Sequence, residues 1–468
     1  MIRFAPLCAL ALAASTASAE LSAAASAIDI TPDPAKSTVW IAGFGMNRRA
    51  TGVHDPIRSR ALLVSDGKTR VAIVVLDLVG FMRPHVEKVR TRCGEAADYV
   101  LVASTHNHEG PDSMGIWGRT PFETGIDAAW MDATIEAIAA QVIALTAKLQ
   151  VVTIRAAQIE GPVKEFVCDH RDPVVIDNAL SALQLVCADG KTVASIANWA
   201  CHPETLWSGN TLLTADYPGF LCARLEERLG GTALFVSGAL GGMMTPDPLK
   251  DEKGEKLRTF VEAERIGRGI ADRAVDALAK AEAARDPALS IRTRELLLPC
   301  TNPRFHVAMA MKLLSREIFD AEGKAFAGKI SPKNIPWVKT EIGLLTLGPL
   351  QAALVPGELF PELAVGGFDG SKSFGADLVK KNNPNPPKIA NAPKSPFLRE
   401  LLNAPVEMIV GLANDELGYI LPEYDFEVND KSATLEPHPP GDHYEETNSL
   451  GKETAKRVMD GFAELLKE

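Results

Sequence analysis

The sequence predicts an α/β protein in which a mixed β-sheet core is flanked by helices. Three observations predict it. Of 468 residues, 46% are hydrophobic and 23% charged, a mixture that supports a large buried core and excludes disordered or fibrous chains. Several short runs are rich in β-branched residues and closed by turn or polar residues, as buried strands are. Longer segments with apolar residues at helical spacing alternate with these runs, the pattern of a sheet covered by helices.

Taken in order, the chain begins with Arg3, an apolar run over 4–14, and Ala17-Ser18-Ala19 ahead of Glu20. This is the form of a cleavable export signal. Residues 1–19 are therefore expected to be removed, leaving 20–468 as one unit in the periplasm or secreted. The run falls short of the roughly 20 apolar residues that span a bilayer, and no other span is predicted. Strands are expected at 71–78, 99–104, 193–198, 233–236 and 351–355, and helices over 127–149 and 255–284. Asp216 with Pro218 marks a further helix start, and 451–468 reads as a closing amphipathic helix. Residues 380–396, rich in Asn, Pro and Lys, suit neither a helix nor a central strand. They form a surface connection or a lid. No internal repeat is visible.

Charge and cysteine usage narrow the partners. Acidic residues outnumber basic ones 60 to 49, a net charge of -11, which argues against binding a phosphate backbone. Cys8 leaves with the signal. Cys93, Cys168, Cys187, Cys201, Cys222 and Cys300 remain, an even number that permits disulfides in an oxidising compartment. Without a CxxC pair there is no thiolate zinc site or redox motif. Buried thiols and one or two bridges both fit.

Three strand ends carry the chemistry. The first runs from Val102 to Asp112 through Thr105-His106-Asn107-His108-Glu109, from a buried strand into a polar turn. Such ends face the crevice where α/β proteins bind ligands. His106 and His108, two apart, project to one side if strand geometry persists; they are zinc ligands or proton carriers, or simply hydrogen-bonded turn residues. The second strand ends in Cys201-His202-Pro203-Glu204, and the third in Pro356-Gly357-Glu358. A lone His or Glu in such a place is commonly structural or solvated. Two His and a carboxylate form a recurrent catalytic zinc set that leaves a position for water.

Thr105–Asp112, Asn198–Glu204, Pro356–Glu358 and Asn414–Tyr419 together, and in this order, resemble the neutral/alkaline ceramidase family. Gly52-Val53-His54-Asp55 and the region 58–78 add to the resemblance, which spans roughly 29–444. It implies a zinc amidohydrolase that splits the N-acyl bond of ceramide, with the metal site at strand ends. By resemblance the zinc ligands are His106, His202, Glu358 and Tyr419. His108 matches the catalytic second His, Arg171 the Arg that helps hold the reacting carbonyl, and Tyr444 a second active-site Tyr. For Arg171 read alone, a salt bridge with Asp172 or Asp177 is the default.

Two departures from the family matter. Longer ceramidases carry a C-terminal immunoglobulin-like domain, and none is expected here, so 20–468 reads as the catalytic domain only. The family's NxGDVSPN loop corresponds to 237–247, with Thr245 where the Ser stands. No serine nucleophile or GxSxG elbow presents itself, and Ser237 and Thr245 are expected in a glycine-rich turn lining the pocket. The expected chemistry is attack of a zinc-activated water on an amide carbonyl, with His108 protonating the departing amine. Alternatives are a different amide or ester substrate, or a binding protein that has lost turnover. Phe305, Val307, Met309, Met311 and Leu313 line the lipid pocket or mark an ordinary amphipathic helix. Transient contact with a membrane surface is compatible with such a substrate.

Overall fold

The computed structural model describes residues 20–284, 288–314, 316–428, 440–441 and 443–467; the expected export signal at 1–19 lies outside them. Eight strands form a mixed sheet: β1 (Ser22–Asp29), β2 (Arg58–Ser65), β3 (Arg70–Leu76), β4 (Tyr99–Ser104), β5 (Gln150–Glu160), β6 (Ala179–Cys187), β7 (Thr192–Trp199) and β8 (Thr232–Ser237). Their order is β8-β7-β6-β5-β1-β2-β3-β4. The outer pairs β3–β4 and β7–β8 are parallel and the remaining neighbours antiparallel. Helix α1 (Arg83–Cys93) crosses between β3 and β4, α2 (Ala128–Leu145) follows β4, α3 (Asp216–Leu229) crosses between β7 and β8, and α4 (Phe260–Leu278) follows β8. The halves β1–α2 and β5–α4 thus repeat one succession of elements, a repeat that shows in topology and not in the residues.

A second sheet of β9 (Leu289–Pro299), β10 (Trp337–Leu347), β11 (Leu350–Leu354) and β13 (Val406–Val410) lies against the first, while β12 (Glu358–Leu359) pairs in parallel with β14 (Tyr419–Ile420). Alternation along each strand decides which residues meet. Leu62 and Val64 of β2 and Val71, Ile73 and Val75 of β3 share a core with Leu345, Leu350, Ala352 and Met408 of the second sheet. Leu63, Ala72, Val74 and Leu76 turn the other way, onto Val86 and Val89 of α1 and Ile135 and Ile138 of α2. Both faces are covered, so these strands read as continuous apolar runs.

Helices α3 and α4 cover the β7–β8 side through Leu221, Leu225, Ile266 and Ile270. Between β9 and β10 stands α5 (Pro303–Ala310), and the closing α6 (Glu453–Leu465) sets Val458 and Phe462 on Leu298, Val338 and Ile342 of the second sheet. The layers run helix, sheet, sheet, helix, one sheet more than the sequence predicts. Expected elements shift at their ends for local reasons: Asp127 caps α2 by accepting from Ala129 N and Trp130 N, and Thr259 caps α4 from Glu262 N. By length and composition the stretch Ala128–Lys148, with mean hydropathy 1.3, is apolar enough to cross a membrane, which the sequence reading missed. Its apolar face is spent on the sheet.

Candidate metal centre

The turn after β4 is built by backbone hydrogen bonds to the neighbouring strand end: Thr105 N donates to Leu76 O (2.9 Å) and Asn107 N to Leu78 O (3.1 Å). His106 adopts a left-handed conformation (φ 66°), so strand alternation stops there. His106 and His108 nevertheless reach one point, through the turn and not through the period-two geometry expected. Asn107 holds the turn by donating its amide to Asp77 O and Thr214 O. His108 N donates to Pro203 O (3.0 Å), which ties this loop to the one bearing His202. Gly43 makes room for the ring: a Cβ there would lie 2.4 Å from His108 Cγ.

Four side chains converge. His106 Nε2 lies 3.2 Å from Glu358 Oε2, His202 Nε2 also 3.2 Å from that oxygen, and His108 Nε2 3.2 Å from His106 Nε2. One nitrogen from each of His106, His108 and His202 falls within 4.8 Å of the others. His106 Nδ1 donates to Val79 O and His202 Nδ1 to Met244 O, each at 2.7 Å. With a proton on Nδ1, Nε2 is the atom of each ring that turns toward the Glu358 carboxylate. Two ring nitrogens and a carboxylate oxygen thus meet in a buried space, where one cation can draw on all three. Ligands about 2.0–2.1 Å from a tetrahedral ion stand about 3.3 Å apart, close to the spacing seen here. A nitrogen and oxygen donor set of this kind suits zinc.

Burial lowers the pKa of His108 from 6.5 to about 4, keeping its imidazole neutral at neutral pH. Its Nδ1 faces Glu204 Oε2 at 3.3 Å. Burial alone would raise the Glu204 carboxyl, but His108 and His202 beside it bring it down to about 2. Glu358 is likewise desolvated yet held below its ordinary value by His106 and His202. Glu416 moves the other way, raised by burial and by the charge of Glu358.

The cluster opens on a cavity of about 890 Å³ whose wall includes His106, His108, Glu358, Tyr419 and Tyr444. Much of the rest is apolar, with Val79, Met82, Met114, Trp117, Phe305 and Leu314 among the residues. That volume suits a sizeable small-molecule ligand.

No family model and no curated protein matches the chain. Among solved structures, neutral ceramidase from Pseudomonas aeruginosa matches with a TM-score of 0.70 at 16% identity, over 96% of this chain and 74% of that one. The chain has the neutral ceramidase fold. A ceramidase complexed with C2 matches similarly, with a TM-score of 0.68 at 16% identity over 96% and 75% of the two chains.

Within the ceramidase fold the expected site residues fall into three groups. His106, His108, His202 and Glu358 meet. Tyr419 is the register partner of Glu358, and its ring lies 5.9 Å from that of Tyr444, which is 47% exposed at the cavity. Burial raises both phenols above their ordinary pKa. Arg171 stands apart from the cavity wall: its guanidinium donates to Asp425 Oδ2 and, at 2.6 Å, to Glu445 Oε2. Neither local acid, Asp172 nor Asp177, is its partner. Ser237 donates its hydroxyl to Thr105 O and Thr245 sits in the short strand Met244–Pro246; neither lines the cavity, contrary to expectation. Among the described residues the six cysteines are free thiols. Sequence reasoning gave no role to Glu204, although it stands two residues after His202, nor to Glu416, whose Oε1 accepts from Gly418 N at 2.7 Å.

Proposed function

We propose that this chain is an exported zinc amidohydrolase that splits the N-acyl amide of ceramide or a related N-acyl lipid. The observation that carries the reading is the four-residue cluster, three of whose members, His106, His108 and Glu358, line a large apolar cavity. Its support from comparison is that the similar folds are those of ceramidases. His106 and His202 would hold the ion through Nε2, Glu358 through its carboxylate and Tyr419 through its phenol. A zinc ion there would polarise the scissile carbonyl and lower the pKa of water from about 15.7 to about 7.

The chain's own residues do the rest. The cavity holds the acyl chain and keeps bulk water from the carbonyl. His108 Nε2 accepts a proton from the attacking water and passes it to the amine nitrogen as the carbon–nitrogen bond breaks and the carbon–oxygen bond forms. The products are a carboxylic acid and a free amine, which exchange one proton to leave as carboxylate and ammonium. Glu204 stabilises the imidazolium that exists between the two transfers, through Nδ1. Tyr444 donates a hydrogen bond to the carbonyl oxygen as its charge grows. Arg171 is a positioning residue: it fixes Glu445, the neighbour of Tyr444.

Elemental analysis combined with hydrolysis of a fluorescent N-acyl sphingosine tests this. His106→Ala and His202→Ala should lose metal and activity together. His108→Ala should keep the metal and lose turnover by about 10²–10⁴-fold. An H106A protein with full metal-dependent activity would overturn the ligand set. Loss of metal in H108A would make His108 a ligand.

A further inference from the structure

We infer that the cavity takes amides whose amine half ends in a carboxylate, the N-acyl amino acids, and that Arg304 selects them, an inference that rests on the amidohydrolase reading. Among the described residues two cations, Arg304 and Arg316, belong to the cavity wall. Arg316 is spent: its Nη1 donates to Asp415 Oδ2 at 3.0 Å, and its Nη2 to Asp415 Oδ1 at 2.6 Å and to Glu416 O at 3.0 Å. Arg304 is not. Among the described residues it pairs with no carboxylate, and its side chain makes one hydrogen bond, from Nη1 to Thr447 Oγ1 at 3.2 Å. Its remaining donors face the opening, where the residue is exposed.

The guanidinium is held beside the reacting end. Asn302 caps α5 by accepting from Arg304 N at 2.9 Å, and its amide donates to Thr447 O at 2.8 Å and to Ser449 O at 2.7 Å. The start of the helix is thereby fixed to the segment that carries Tyr444. Thr447 gives its hydroxyl proton to Tyr444 O at 2.9 Å, so it meets Arg304 with a lone pair. Burial and then the charges of Glu358, Glu445 and Glu204 raise the Tyr444 phenol, and the nearby charge of Arg304 opposes them. Polarity along the wall sorts the two halves of a substrate. Val79, Met82, Met114 and Leu314 are buried and apolar, a lining for an acyl chain and for nothing charged. The amine half is left toward Arg304. A carboxylate close to the amide nitrogen meets the guanidinium in the planar, paired geometry that the two groups share. As water's oxygen joins the acyl carbon and the carbon–nitrogen bond breaks, the nitrogen takes the proton and leaves as part of an amino acid.

The test follows octanoate release by the full, metal-loaded chain from N-octanoylglycine, its neutral isostere N-octanoylglycinamide and the cationic N-(2-aminoethyl)octanamide. All are kept monomeric in solution, so that no lipid surface takes part, and the fluorescent N-acyl sphingosine is the reference. The parent should favour N-octanoylglycine over its isostere by at least about tenfold in kcat/KM, mainly through KM. Arg304→Gln should bring the two level, Arg304→Lys should restore part of the preference, and Arg304→Glu should turn it toward the aminoethyl amide. Lys312→Gln, which removes an exposed cation off the cavity wall, should keep the parent's ratio. Equal kcat/KM for acid and isostere in the parent, or a ratio that survives Arg304→Gln, would overturn the carboxylate site and leave the amidohydrolase reading standing. So would cleavage of the sphingosine derivative without cleavage of N-octanoylglycine. If no amide is cleaved, the amidohydrolase reading falls and calorimetry with the same compounds decides the site. Tighter binding of N-octanoylglycine than of its isostere, lost in Arg304→Gln, would uphold the carboxylate site, and equal binding would overturn it.

Discussion

His85 on α1 is buried, and its Nδ1 has no hydrogen-bond partner. Burial, then the charge of Lys88, lowers its pKa from 6.5 to about 4. Between those values the unfolded chain binds a proton that the folded chain refuses. This contribution to stability is therefore complete above pH 6.5 and drains away as the pH falls toward 4. The shift corresponds to about 3 kcal/mol at the acid end. His85→Leu should flatten that limb, so that urea denaturation at neutral and acid pH finds the variant losing about that much less than the parent. Equal losses would assign the acid sensitivity elsewhere. Gly43 makes a different prediction, about position. Its φ is +97°, and a methyl group would strike His108. Gly43→Ala should keep the far-UV spectrum and the bound metal while turnover falls on the order of 100-fold, because a shift of about 1 Å in a reacting group costs that much.

Asn414 joins the elements on which the site stands. Val102 N donates to its side-chain oxygen (3.0 Å), its own N donates to Val102 O (2.7 Å), and its amide donates to the Tyr99 hydroxyl (2.8 Å). With φ 62°, it occupies a conformation that Asn tolerates better than most residues. Asn414→Ala leaves Val102 N unsatisfied in the interior and should cost about 1–3 kcal/mol in chemical denaturation. A cost near zero would mean that the two sheets hold their junction without it. Such junctions were not legible in the sequence, whereas the strands were: β4 and β11 read as apolar runs because both their faces are covered. β9 went unread, since its outward residues Arg292, Arg294 and Glu295 interrupt the apolar pattern. Strand ends carrying His106, His202 and Glu358 could be read from polar turns after buried runs. The partners of Arg171 could not, because Asp425 and Glu445 lie 254 and 274 residues away, and local sequence points instead to Asp172. That distance also conceals the second sheet, whose pairing with the first depends on burial between segments far apart in the chain.

On the scale of the whole molecule, the candidate metal ties together three parts of the fold. His106 follows β4 in the first half of the large sheet, His202 follows β7 in the second half, and Glu358 opens β12 beyond the second sheet. An ion bound there is bound only by the folded chain, because the ligands are scattered when it unfolds. Its binding free energy therefore adds to stability, by about 4 kcal/mol when the free ion stands at 1,000 times its dissociation constant. Removing it also leaves the Glu358 carboxylate buried beside His106 and His202 without its cation, both rings still fixed by their Nδ1 hydrogen bonds. Chelation should thus lower the melting temperature on the order of 5 °C, abolish amide hydrolysis, and be reversed in both respects by stoichiometric zinc. His202→Ala, which lacks a ligand, should melt at the same temperature with and without chelator. This comparison separates a structural ion elsewhere from one held at the cluster: a chelator response that survives in His202→Ala would move the metal away from His106, His202 and Glu358 and take the proposed chemistry with it.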